Sequence, residues 1–237
     1  MTYVEVLAGG KGTRMGNTDM PKQFLMLGNK PIFIHTIEQF LLNTKVDKVI
    51  LCCPKMWISH AKDTIEKYLS DTSNVVVVEG GSTRQETILN GCKYIEQEYG
   101  INDDDVIITH DAVRPFVTQR IIDENIENVK KYGAVDTVIP ATDTIVESQD
   151  GEVISNIPVR NQMYQGQTPQ SFNIKKLMNI FDSLSEEEKK ILTDACKAFI
   201  LKGEKVSLVQ GEVYNIKITT LHDLKLSNAI LVERDNK

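Results

Sequence analysis

The residues with the clearest chemical potential open the chain: Leu7-Ala8-Gly9-Gly10-Lys11-Gly12-Thr13-Arg14-Met15-Gly16, then Pro21-Lys22-Gln23-Phe24. Glycines after a strand let backbone N–H groups approach an anion closely, because no Cβ stands in the way. Residues 1–30 carry four basic and two acidic side chains in a chain whose net charge is −6. The loop is therefore cationic against its background, and phosphate is its natural ligand. It is not a Walker A loop, because Lys11 is followed by Gly12 rather than Ser or Thr. The dinucleotide fingerprint G-x-G-x-x-G also fails: from Gly10 the chain runs G-x-G-x-x-x-G, and the second strand ends Cys52-Cys53-Pro54 with no acid. That disfavours a nicotinamide oxidoreductase. On spacing alone, a nucleotide-phosphate loop and a structural glycine turn both remain open.

Three further groups could carry chemistry. Gly80-Gly81 leads through Ser82, Thr83, Arg84, Gln85, Glu86 and Thr87 into a helix, whose first N–H groups favour anions and acceptors. Asp111 closes a buried strand at the carboxyl edge of the sheet, where ligands bind in open α/β folds. Lys217 is flanked by Ile216 and Ile218 in a β-like run. Asp103-Asp104-Asp105 reads as a solvated turn rather than a metal cluster. His35, His60, His110 and His222 are scattered, and His110 should face away from Asp111 across the sheet. Cys52, Cys53, Cys92 and Cys196 show no C-x-x-C spacing and read as small apolar thiols in a reducing compartment.

These groups need a scaffold, and the chain alternates strand and helix to supply one. Strand-like runs at Tyr3–Leu7, Lys48–Cys53, Val75–Val78 and Val106–Thr109 are separated by helical patterns at Ile32–Leu42, Met56–Leu69, Thr83–Tyr99 and Thr118–Lys131. The four valines suggest a strand covered on both faces. The expected fold is one α/β domain over residues 1–237, a doubly wound, mostly parallel Rossmann-like sheet. One segment breaks the alternation: Thr144–Glu147 and Glu152–Ile157 flank Asp150-Gly151, a hairpin signal. A β-hairpin arm is expected at about 142–160, projecting towards a second subunit. An acidic chain argues against nucleic-acid and anionic-membrane binding. No run is long and apolar enough to span a bilayer, and the opening residues do not read as a signal peptide, so a cytoplasmic protein is expected.

L-A-G-G-x-G-x-R-M with P-K-Q-F downstream resembles the nucleotidyltransferases that join a sugar or polyol phosphate to a nucleoside triphosphate. Gly80 to Thr87, Thr109-His110-Asp111-Ala112-Val113-Arg114-Pro115, Gln165 to Phe172, Thr193-Asp194-Ala195 and Asn215-Ile216-Lys217-Ile218-Thr219 extend the resemblance over nearly the whole chain. In this order they are similar to the cytidylyltransferases of the methylerythritol-phosphate and ribitol-phosphate type. Ala8-Gly9-Gly10, Tyr214 before Asn215, and Tyr164-Gln165-Gly166-Gln167 look more like the ribitol 5-phosphate branch, which supplies CDP-ribitol for teichoic acids or capsules. The other acceptor is 2-C-methyl-D-erythritol 4-phosphate, and a reading of another class is a nucleotide-binding regulator without turnover.

The resemblance implies roles. Leu7, Ala8, Gly9, Gly10, Gly81 to Thr87 and Ala112 would bind CTP, with Mg²⁺ or another divalent cation on Asp111. Arg14 and Lys22 would stabilise charge at the α-phosphate, and Lys217 and Arg160 would hold the acceptor phosphate, Arg160 serving the partner's site if the arm crosses over. Arg114, Thr137, Thr168 and Asp194 would contact the polyol. The expected assembly is a homodimer.

Overall fold

The computed structural model describes residues 1–10 and 20–235, so Arg14 lies outside the described residues. The chain begins with β1 (Thr2–Leu7). It resumes in a 3₁₀ turn at Lys22–Phe24, then passes through a two-residue ladder, β2 (Met26–Leu27) and β3 (Lys30–Pro31), into α1 (Ile32–Leu41). There follow β4 (Lys48–Cys53), α2 (Ile58–Tyr68), β5 (Val75–Glu79), α3 (Arg84–Tyr99), β6 (Val106–Asp111), α4 (Gln119–Tyr132) and β7 (Ala134–Pro140). After the arm come β8 (Tyr164–Asn173), α5 (Ile174–Asp182), α6 (Glu186–Lys190), α7 (Ala195–Leu201), β9 (Ser207–Gln210) and α8 (Leu221–Asp235).

Seven strands form one sheet in the order β5-β4-β1-β6-β8-β7-β9. β8 alone runs against its neighbours β6 and β7; the other pairs are parallel. The expected doubly wound, mostly parallel sheet is therefore present. Because β1, β4, β5 and β6 point the same way, the loops after β1, β5 and β6 meet at one edge, as a ligand site in an open sheet requires.

Helices cover both faces. α1 turns Phe33, Ile34, Ile37 and Phe40 onto the sheet, while Glu38 faces outward and pairs with Lys30 at 2.6 Å. That is the 3.6-residue period of a one-sided helix. Ile37 is fully buried, so its truncation to Ala is expected to cost about 2–5 kcal/mol. Ile88, Cys92 and Ile95 of α3 pack with Leu177 and Phe199 on the opposite face. All four cysteines are buried and unpaired with one another.

Several details differ from expectation. The four valines form the edge strand β5, half-buried rather than covered on both faces, since only β4 pairs with it. Asp105 is buried, not solvated, and accepts the N–H of Asn102 at 2.9 Å. The arm projects, with Val146, Val153, Ile154, Ile157 and Val159 exposed, but it is not a regular two-stranded ladder. One bridge, Glu147 to Asn156, joins its limbs, and the Asp150 carboxylate organises the tip by accepting the N–H groups of Glu152 (2.9 Å) and Val153 (3.0 Å). Backbone demand is thus met by side chains at the tip instead of by cross-strand pairs.

Candidate active site

A cleft of about 460 Å³ opens at the carboxyl edge of the sheet. Leu7, Gly9 and Gly10 form one wall, Gly81, Ser82, Thr83, Arg84 and Thr87 another, and Lys22, Asp111 and Lys217 approach from the floor and far side. A Cβ built on Gly10 would meet nothing within 4 Å among the described residues, and one on Gly9 only the Thr87 hydroxyl at 3.8 Å. Among the described residues, this leaves the backbone at both positions open to close approach by a ligand.

The second wall is held by its own polar groups. The Thr83 hydroxyl caps α3 by accepting the Glu86 N–H at 3.1 Å, and the Glu86 carboxylate accepts the Ser82 N–H at 2.7 Å. The Thr87 hydroxyl donates to the Thr83 carbonyl and accepts from the Gly81 N–H. Hydrogen bonding to Ser82 holds the Glu86 carboxyl below the usual carboxylate range. This reciprocal capping fixes the loop before any ligand arrives.

Asp111 is the electrostatic centre. Its Oδ1 meets Arg84 at 2.7 Å, and its Oδ2 meets Lys217 at 3.0 Å and Arg114 at 3.2 Å. Burial alone would raise this carboxyl; Arg84, then Lys217 and Arg114, outweigh burial and hold it far below the usual range, so it is ionised at neutral pH. Three cations on one carboxylate leave the cluster net positive, and Lys22 lines the same cleft. The backbone N–H of Asp111 donates to the Thr168 hydroxyl at 3.1 Å.

The supports come from distant parts of the chain. Arg114 donates from Nη1 to the Asn215 carbonyl at 2.8 Å, and the Ile218 N–H donates to Val113 at 2.9 Å, which together fix Lys217 against Asp111. Lys217 lies on an extended loop rather than in a strand, because Ile218 is buried in the small cluster beneath α8. Gln167 braces the same loop, donating to the Glu212 carbonyl at 2.9 Å and accepting from Asn215 at 3.2 Å. Lys22 is placed by its neighbours: Phe24 stacks on Trp57 at 5.1 Å, and Gln23 donates to the Ala8 carbonyl.

The structure gathers Leu7, Gly9, Gly10, Lys22, Gly81, Ser82, Thr83, Arg84, Thr87, Asp111 and Lys217 in one cleft. Others expected there stand behind it. Ala8 and Ala112 are buried, Gln85 donates to the Leu192 carbonyl, and Glu86 is a cap. Arg114 and Thr168 brace Asp111 rather than facing the cleft. Thr137 is fully buried, donating to Pro169 and accepting from Asn125, so no polyol can reach it. Asp194 caps α7 through the Lys197 N–H. Arg160 lies on the arm, where it donates to the Thr142 carbonyl at 3.3 Å, and lines no part of its own chain's cleft. Gln23, Val113 and Thr219 line the cleft without having been expected; their signal lay only in adjacency to the motifs. His110 faces the other side of the sheet as its strand parity requires, packing edge-on against Phe40, and burial pushes its imidazole down to about 4.

Among the described residues no group of three or more His, Cys, Asp or Glu side chains is arranged to hold a metal. Asp111 is the one acid among the described residues that line the cleft, and both its oxygens are paired with cations, so a divalent ion shared with a ligand's phosphates would have to displace one of them.

An α/β sheet with glycines, a capped helix start and converging cations at one edge defines a nucleotide-phosphate-binding enzyme fold of the nucleotidyltransferase class. Comparison with known proteins narrows this. The family model of 2-C-methyl-D-erythritol 4-phosphate cytidylyltransferase matches residues 2–233, and the chain belongs to that cytidylyltransferase family. Among solved structures, 4-diphosphocytidyl-2C-methyl-D-erythritol synthase of Anaerococcus prevotii is 28% identical, with a TM-score of 0.79 over 97% of this chain and 95% of its own. The Francisella tularensis 2-C-methyl-D-erythritol 4-phosphate cytidylyltransferase gives 28% and 0.79 over 96% and 98%. The Thermus thermophilus protein of the same name, at 24% identity and a TM-score of 0.72 over 96% and 97%, shares the fold. No described helix is long and apolar enough to cross a membrane.

Proposed function

We propose that the protein binds CTP in this cleft and transfers the cytidylyl group to the phosphate of an open-chain polyol phosphate, releasing pyrophosphate. The observation that carries this is the convergence of Arg84, Arg114 and Lys217 on Asp111 beside Gly9 and Gly10, in a chain of the cytidylyltransferase family. A phosphomonoester is already an anion near neutral pH, with a second pKa of about 6. One of its oxygens forms a bond to the α-phosphorus while the bond from that phosphorus to the β-phosphate bridging oxygen breaks. No protein nucleophile or general base is required. The obstacle is charge, and fixed cations lower it by meeting charge that develops in the transition state. Lys22 serves the α-phosphate, with Arg14 beside it in the motif, and Lys217 serves the incoming phosphate. A divalent cation, when bound, would be held by Asp111 and phosphate oxygens and would offset charge on the departing pyrophosphate.

Cytosine is the favoured base. The N–H groups of Gly81 and Ser82 are taken by Thr87 and Glu86 and the Thr83 carbonyl accepts twice from Thr87, so the loop meets a base chiefly through the Gly81 carbonyl, whose own bond from Thr87 is long at 3.4 Å. A carbonyl accepts from cytosine's amino group and repels uracil's O4.

Two acceptors have separate support. The names of the similar solved proteins support 2-C-methyl-D-erythritol 4-phosphate better than D-ribitol 5-phosphate. The chain's own departures, Ala8-Gly9-Gly10, Tyr214 and Tyr164 to Gln167, support D-ribitol 5-phosphate. Of these, Gln167 acts inside the protein, so the case rests on the glycines and on the exposed Tyr164 and Tyr214. Pyrophosphate release from CTP with each acceptor in turn decides, by the ratio of kcat/KM values. CTP binding without turnover on either would instead support a regulator.

A homodimer is the proposed assembly. The arm exposes five apolar side chains and carries Arg160 away from its own cleft, which suits a two-fold partner that covers the arm and receives the arginine.

A further inference from the structure

One pleat step behind Asp111, polar residues cross the sheet in a line. Glu5 of β1 is registered with Thr109 of β6, Thr109 with Gln170 of β8, and Gln170 with Asp136 of β7. Registered neighbours share a face, so all four project towards the side covered by α3 and α7. A parallel core usually fills such a row with apolar side chains. Both Glu5 oxygens, Arg84 Nε and Gln170 Oε1 are buried on this side without a hydrogen-bond partner. Unsatisfied groups in that number need ordered water or a ligand.

The Asp136 end of the row is built to receive something. Asp136 stands where the β7–β8 register shifts, and Gln170, 3% exposed, donates Nε2 to its Oδ1 at 3.0 Å while Oε1 of the same amide stays unpartnered. Opposite lies Gly166, whose missing Cβ would sit 3.9 Å from Asp136 Oδ2. Arg84 and Arg114, both paired with Asp111, also act on Asp136 through their charge, so the carboxylate adjoins the cationic cluster.

Resting on the reading of the protein as a polyol-phosphate cytidylyltransferase, we propose that Asp136, positioned by the Gln170 amide and facing the opening left by Gly166, is the subsite that binds the hydroxyls at the end of the acceptor remote from its phosphate. The direction follows from charge. The acceptor's dianionic phosphate belongs with Lys217, and a carboxylate repels it. Hydroxyl groups, by contrast, donate to a carboxylate, which is the acceptor present. Asp136 lies two strands from Asp111, about 10 Å across the sheet, which suits the far end of a polyol whose phosphate sits in the cleft. Burial, then the nearby Asp194, raises the Asp136 carboxyl to about 6 against the opposing bond from Gln170, so it is ionised at pH 7.5. An apolar C-methyl branch near that end would find no polar partner there, so the subsite favours an unbranched polyol over a C-methylated one.

The test is steady-state pyrophosphate release by the full chain at pH 7.5, with CTP and whichever of D-ribitol 5-phosphate and 2-C-methyl-D-erythritol 4-phosphate gives the higher kcat/KM. Asp136→Asn keeps size and removes the charge; Gly166→Ala keeps the carboxylate and narrows the opening. Asp136→Asn should raise the acceptor KM about tenfold or more with the CTP KM held within twofold, and Gly166→Ala should move the acceptor KM in the same direction. An acceptor KM within twofold of wild type in folded Asp136→Asn overturns the subsite, as does an equal rise in the CTP KM. If Asp136→Asn does not fold, Gly166→Ala decides by the same criteria. No pyrophosphate from the wild type with either acceptor overturns the enzymatic reading and the subsite together, whereas active wild type with unaffected variants overturns the subsite alone.

Discussion

Glu5 sits in the middle of the interior strand β1 with no exposed surface and no N–H or O–H partner for either oxygen. Its carboxyl packs against the backbone of α3, where a Cβ on Gly91 would lie 2.7 Å from the carboxyl carbon. Burial pushes its pKa up to about 8 from 4.5, although the Cys52 thiol and the charge of Arg84 favour the ionised form. Below pH 4.5 the group is protonated folded and unfolded, and it costs nothing by ionisation. Between 4.5 and 8 the folded protein keeps the proton that the unfolded chain has lost, so stability must fall as pH rises through that window. At about 1.4 kcal/mol per unit, the 3.5-unit gap sets a ceiling of about 5 kcal/mol, of which about 3 is expressed at pH 7. Glu5→Gln keeps the shape and abolishes the titration; its unpaired amide costs about 1–3 kcal/mol at every pH. Urea unfolding of both proteins at pH 5, 6, 7 and 8 isolates the effect as a slope. Relative to wild type, the variant should gain about 0.7–1.4 kcal/mol per unit. A stability difference that stays flat from pH 5 to 8 would refute a buried carboxyl with a raised pKa. Asp136 also titrates in this range but is common to both proteins, so it drops out of the comparison.

Other outcomes follow from the site. Lys22→Ala should lower kcat by about 10²–10³, since it removes a cation from the α-phosphate; an unchanged kcat in a pyrophosphate assay would contradict the mechanism. CTP should be turned over in preference to UTP by a large factor, about 10⁴ where buried groups are left unpaired, and equal rates would remove the proposed role of the Gly81–Thr87 loop. Arg160→Ala mixed with Lys22→Ala should recover part of the activity on subunit exchange, because one site of the mixed dimer then carries both defects and the other neither. Verified exchange with no recovery would mean that each site is built from one chain.

The alternation of strands and helices was legible because each period is local. Ile34, Ile37 and Leu41 announce α1 by spacing alone, and the strand parity that separates His110 from Asp111 needs only their adjacency. The cleft's outline was legible for the same reason, since Gly9-Gly10 and Gly81 to Arg84 come just after a strand and Asp111 ends one. Tertiary partners were not. Arg114 and Thr168 were expected to touch substrate, yet Arg114 reaches 101 residues along the chain to Asn215, and Thr168 reaches 57 residues back to Asp111. Nothing local distinguishes an arginine that binds a ligand from one that braces an aspartate. Thr137 fails on parity: its face of β7 meets Asn125 of α4, which no motif reveals.

Register explains the rest. Glu5 and Asp136 are separated by 131 positions and read as unrelated acids, one in an apolar run and one at the start of a strand. The reversed strand β8 brings Gln170 between Thr109 and Asp136, and only then do the two acids stand in one row. Their surroundings then give them opposite states. Glu5, sealed under Gly91 with only the Cys52 thiol and the charge of Arg84 to favour its ionised form, holds its proton at neutral pH, so it adds no charge beneath the cleft. Asp136, hydrogen-bonded by Gln170 and open beside Gly166, loses its proton and becomes a strong acceptor. A neutral acid beneath the cleft leaves the cations free to meet phosphate, while an ionised one at the far end repels phosphate and draws hydroxyls. The row therefore orients a polyol phosphate by charge before any single contact is made.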